Sequence, residues 1–148
     1  MKTSIFLTLA ALALTACSGG TTKAKGPISE ERSAAFKSMM PEFSEMGKMV
    51  KGETAYEVEK FKKAAAVFAE SSKEPFKHFQ SDPQGNGEAL PAIWQDQAKF
   101  KAEEDKFRQA VEKLNTAAQG GNLEEIKAAY GEAGASCKSC HKSYRMPD

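Results

Sequence analysis

Residues 134–145 read GASCKSCHKSYR. The chain has three cysteines and two histidines, and Cys137, Cys140 and His141 place three of those five within five adjacent positions. Upstream, Asn122 with Glu125 three residues later fits the start of a helix. Leu123, Ile126, Ala129 or Tyr130, Ala133, Cys137 and His141 then recur at three- and four-residue steps. Such steps return to one face of an α-helix. Two thiols and an imidazole therefore project together from one side of a closing helix.

The rest of the body is helical in the same way. Before the Gly120–Gly121 pair, residues from Asp96 to about Gln119 carry the stripe Phe100, Phe107, Val111, Leu114 and Ala118. A Gly-Gly-Asn joint is short enough to make the flanking helices antiparallel neighbours. A first helix is predicted from about Ser29 to Lys51, with Phe36, Met39, Met40, Phe43, Met46 and Val50 on one face, Ser29 as cap and Gly52 as stop. Pro41 lies inside it and predicts a kink or a break, because proline lacks the donor and clashes with the preceding turn. A second helix is predicted to start at Thr54, with Glu57 at capping-box spacing, and to run through Tyr56, Phe61, Ala65 and Phe68 to about Ser72. Between Lys73 and Gln95 lie three prolines and two glycines among aromatic residues, which reads as a long ordered loop covering something apolar. The fold class is thus all-α, an antiparallel four-helix bundle with one core, without internal repeat or second domain.

The ends read differently. Residues 1–16 carry Lys2, an apolar run from Ile5 to Leu14 and then small residues, the pattern of a secretory signal peptide. LTAC at 14–17 resembles the lipobox of bacterial lipoproteins, which implies cleavage before Cys17 and acyl chains on it. Ser18 resembles the outer-membrane sorting signal of Gram-negative cells. Residues 17–27 are small, polar and glycine-rich, a flexible tether. The domain proper is then 28–148. Over the full chain the charge is nearly balanced, with 21 Lys and Arg against 20 Asp and Glu. That argues against a nucleic-acid binder, and it offers no clear docking patch for a protein partner.

Cys-x-x-Cys-His is the pattern of c-type haem attachment. Thiols one helical turn apart reach two vinyl groups on neighbouring pyrroles, and a histidine beside them supplies an axial iron ligand. Three other readings compete with it. A thioredoxin-type couple needs a βαβ context that this sequence lacks. Zinc needs more ligands, and His78 is the other histidine, read as a surface residue. A disulfide across three residues of a helix has poor geometry and leaves His141 unexplained.

With this motif on the last of four helices, the chain resembles the cytochrome c′ family, the class II c-type cytochromes of bacteria. The likeness rests on GASCKSCHKSYR, on GNLEEIKAAYG at 121–131, on PAIWQDQAKF at 91–100 and on GKMVKGETAY at 47–56. It implies one haem c bonded to Cys137 and Cys140, with His141 as axial ligand and no protein ligand opposite. RSAAF at 32–36 aligns Arg32 with the arginine near a haem propionate, and Phe36 with the side chain over the open iron face. Ser33 and Glu88 align with haem-edge positions, and Arg145 with a proximal arginine. Trp94 is read as core or haem-edge packing.

Phe36 has no donor atom, so it crowds the iron without ligating it. Relatives with methionine at that position are low-spin. The expectation is a five-coordinate iron that binds NO or CO and disfavours O₂, in a protein that is not an enzyme. Such a protein would be periplasmic, held to the membrane by its lipid alone, and a homodimer through its first two helices. The alternative is a low-spin carrier passing single electrons to a periplasmic redox partner. Met39 and Met40 lie on the Phe36 face and are read as core filling.

Overall fold

A computed structural model describes residues 23–147. The leader, Cys17 and the tether up to Thr22 lie outside the described residues. Four long helices make the body: α1 (Pro27–Val50), α2 (Val58–Ser71), α4 (Gln97–Gly120) and α5 (Leu123–Tyr144). A 3₁₀ turn (Pro75–His78) and the short α3 (Ala92–Gln95) interrupt the crossing segment between α2 and α4. The long helices pack in a ring, α1 on α2, α2 on α4, α4 on α5, and α5 back on α1, with the last contact the loosest. Among the described residues no helix is long and apolar enough to cross a membrane.

The α4 stripe is buried as its spacing predicts: Phe100, Phe107, Val111, Leu114 and Ala118 all face inward. They meet Met39 and Met46 of α1, Phe61, Ala65 and Phe68 of α2, and Ile126, Ala129 and Ala133 of α5. Gly121 ends α4 with φ +73°, a left-handed conformation that costs glycine least. The Asn122 side chain then accepts from the backbone N–H groups of Glu124 and Glu125 to start α5.

The structure corrects several helix boundaries. α1 starts at Pro27, two residues before Ser29, and runs unbroken through Pro41. Pro41 and the preceding-turn residue Lys37 are both exposed, so water satisfies the carbonyl that proline leaves unpaired. The start of α1 is capped from a distance. Asp82, in the crossing segment, accepts from the Ser29 N–H at 2.9 Å. Gly26 permits that approach, because a Cβ there would lie 2.1 Å from the Asp82 carboxylate. Thr54 does not cap α2, which begins at Val58 after an extended Glu57 with no side-chain cap.

Candidate functional site

α1 and α5 part at the end of the bundle under the crossing segment, and a cavity of about 530 Å³ opens between them. That is the size range of small-molecule and cofactor sites, roughly 300–1,000 Å³. Every residue of the domain singled out from the sequence for the site lines it: Arg32, Ser33, Phe36, Glu88, Cys137, Cys140, His141 and Arg145.

The α5 wall carries the chemistry. Cys137 and Cys140 are half-buried, and burial raises both thiol pKa values. Cys140 is pushed up to about 11, with the charges of Glu103 and Cys137 adding to the effect of burial. As free groups both are therefore protonated at neutral pH. His141 lies one residue on, and its ring faces Phe36 across the cavity at 6.3 Å between centroids, edge to face.

The opposite wall is aromatic. Phe36 packs edge-on against Phe76 at 6.1 Å and Phe79 at 6.2 Å. Phe79 in turn lies 4.7 Å from Phe100, and Phe100 meets Tyr144. Trp94 is half-buried behind this wall and donates from Nε1 to the Phe79 carbonyl at 2.8 Å. Of the two methionines, Met39 is 3% exposed in the core cluster and Met40 is 45% exposed at the cavity mouth.

Arg32 is the one buried cation on the wall, 5% exposed. Its guanidinium donates to the carbonyls of His78 and Asn86, each at 2.9 Å, and lies 5.1 Å above the Phe79 ring. Burial lowers its pKa, and Asp82 opposes that shift. Asp82 is held well below the usual carboxylate range, first by the Ser29 N–H. The Ser33 hydroxyl donates to the Ser29 carbonyl within its own helix. Arg145 donates from Nε to Glu88 at 2.7 Å, and this bond, ahead of the charges of Arg145, Lys23 and Lys25, lowers the Glu88 pKa. His78 is half-buried between Glu31 and Glu74, a departure from the surface position expected for it.

The cavity fits a haem. It offers two thiols one helical turn apart, an imidazole beside them, a ring-lined slot, and cations at the rim for carboxylate side chains. Among the described residues no cluster of three or more His, Cys, Asp or Glu side chains gathers into a protein-only metal site. Phe76, Phe79 and Tyr144 also line the cavity, and sequence reasoning did not single them out. The aromatic density of the proline-rich segment was the available signal for the first two.

Comparison with known proteins agrees with this geometry. The family described as Cytochrome C′ matches residues 28–145. Cytochrome c′ of Alcaligenes xylosoxydans xylosoxydans is 38% identical over 114 residues, 77% of this chain and 89% of the relative. That of Rubrivivax gelatinosus is 37% identical over 122 residues, 81% of this chain and 95% of the relative. A solved nitric oxide complex of a variant of the Alcaligenes xylosoxidans protein superposes with a TM-score of 0.77 at 36% identity, covering 81% of this chain and 94% of that one.

Proposed function

The chain belongs to the cytochrome c′ family of c-type haem proteins, and from that we propose a gas-binding cytochrome with one haem c bonded through Cys137 and Cys140. His141 would ligate its iron, and Phe36 would pack against the haem from the α1 wall. One observation carries it: the two thiols, the imidazole and the phenyl ring line a single cavity, with His141 and Phe36 on opposite walls. When bound, such a haem supplies an iron that takes a small diatomic ligand or exchanges single electrons.

The chain's own residues decide between those uses. Phe36 presents no donor or acceptor, and its neighbours on that wall, Phe76 and Phe79, present none either. A ligand there gains no hydrogen bond, which suits NO and CO better than O₂. Met39 is buried in the core cluster and also borders the cavity; in this reading it fills the core and does not ligate. Arg32 stands ready to meet a propionate, since its donors now reach only neutral carbonyls. The site is read as one for binding, buffering or protection against NO, rather than for catalysis.

The same reading puts the protein in the periplasm, released from a signal peptide at 1–16 and held by lipid on Cys17, as the lipobox implies. Exposed Val58 and Val67 on α2 support pairing of two copies through the first two helices. The optical spectrum of the ferrous holoprotein, before and after NO, tests the function. A high-spin spectrum without a sharp alpha band, changed by NO, is expected. A split low-spin alpha band indifferent to NO and CO would replace this reading with that of an electron carrier.

A further inference from the structure

Lysines are placed unevenly over this molecule. On the flanks of the bundle they sit beside carboxylates: Lys48 and Lys60 at Glu45, Lys62 at Glu59, Lys73 at Glu70, Lys77 at Glu74, Lys106 at Glu103, Lys113 at Glu132 and Lys127 at Glu124. Around the cavity mouth the pattern reverses. Lys25 and Lys37 line the cavity and are exposed. Lys138 and Lys142 lie on α5 at i and i+4, on the flank next to His141, and Arg145 follows just past the helix end. Among the described residues, Lys25, Lys37, Lys138 and Lys142 have no carboxylate within ion-pair distance. Lys25 and Lys37 line the cavity themselves, whereas Lys138 and Lys142 do not but each follows a residue that does, Cys137 and His141; among the described residues Lys63 and Lys99, on α2 and α4, are unpaired as well. Glu88 is the one acidic residue on the cavity wall, against Lys25, Arg32, Lys37 and Arg145, and Arg145 engages it. The balanced composition thus conceals a basic rim.

The chain also enters the domain at this rim. Gly26 donates to the Gly85 carbonyl and Gly87 to the Ala24 carbonyl, each at 2.9 Å, and Lys25 bridges to Asn86. Residues 24–26 are thereby tied alongside the loop that borders the cavity. Cys17 precedes Lys23 by six residues, which span at most about 20 Å when fully extended.

We propose that the cavity mouth faces the bilayer, its rim of Lys25, Lys37, Lys138 and Lys142 resting on anionic phospholipid headgroups. The proposal rests on the reading of Cys17 as the acylated residue. The short tether brings the rim to the headgroups, and the unpaired cations then hold that face down. Their attraction fades within a Debye length, about 10 Å at 0.1 M salt. An acidic protein would match the same charge, but tether length argues for the bilayer, which lies within reach on that side. Non-polar diatomic gases dissolve better in hydrocarbon than in water, so a mouth turned to the bilayer takes its ligand from the richer phase.

Lysine footprinting tests this on the full-length, processed, haem-loaded protein. It is reconstituted into vesicles of phosphatidylcholine alone or mixed with phosphatidylglycerol, then labelled with a membrane-impermeant N-hydroxysuccinimide ester and read lysine by lysine by mass spectrometry. On the anionic vesicles Lys25, Lys37, Lys138 and Lys142 should label several-fold more slowly, while Lys63 and Lys113 do not change, and high salt should remove the difference. The pair Lys138→Glu and Lys142→Glu should abolish protection of Lys25 and Lys37, and Lys63→Glu should not. Equal labelling of the rim on both vesicle types overturns the proposal and leaves the rim to an acidic protein. An N-terminal peptide without acyl chains on Cys17 overturns it as well. The haem spectrum is recorded on the same sample, so a failed haem reading registers separately from a failed footprint.

Discussion

Where Gly121 turns α4 into α5, Phe61, Leu114, Ala118 and Ile126 are 0% exposed, and the helices close on one another. At the other end, under the crossing segment, Phe36, Phe76 and Phe79 stay half-buried around about 530 Å³ of open volume. The closed end is finished by its own side chains. The open end is a socket, a cavity walled by aromatic rings between α1 and α5. The difference shows why one four-helix frame supplies both stability and a site: the turn end holds the frame while the crossing end stays open for chemistry.

The largest effect belongs to the socket. Replacing both thiols, Cys137→Ala with Cys140→Ala, should leave essentially no pigment on the protein after acid–acetone extraction. Covalent pigment in the double variant would break the assignment. Next comes Leu114→Ala at the closed end, which should cost about 2–5 kcal/mol by urea unfolding. Phe79→Ala at the open end should cost less, since its neighbours already border free volume, and the reverse order would erase the contrast between the ends. Phe36→Ala should speed CO binding to the ferrous protein about tenfold, roughly 1.4 kcal/mol of barrier, by flash photolysis.

Asp82 ties the open end together, because it caps α1 from the crossing segment. Its folded pKa is depressed, so its contribution is present above the ordinary carboxylate range and is lost as pH falls through the folded value. Asp82→Asn should therefore be less stable than the parent at neutral pH and should show a flatter loss of stability in acid. The smallest effect is expected from the exposed Lys113–Glu132 pair. Lys113→Ala should change stability by less than about 1 kcal/mol, and less again in high salt.

What the sequence revealed divides along the same line. The closed end was legible because local periodicity sets it: the α4 stripe needs only the three- and four-residue rule. That Cys137, Cys140 and His141 come together on one wall was legible because they lie within little more than one helical turn. The start of α1 was not, because its cap comes from Asp82, 53 residues from Ser29. Thr54 misled because a capping box is a local signal, and here the chain stays extended to Glu57 before α2 begins. The aromatic wall from Phe76 and Phe79 escaped notice because no helical period marks it. The basic rim was hidden because composition sums charge without its place.

The electron paramagnetic resonance spectrum of the ferric full-length protein reports most directly whether a side chain ligates the haem iron opposite the proposed ligand His141. A high-spin axial signal at neutral pH is predicted, unaltered by Met39→Leu or Met40→Leu. A low-spin rhombic signal that turns high-spin in either variant would put a sulfur where Phe36 is assigned, and would contradict it.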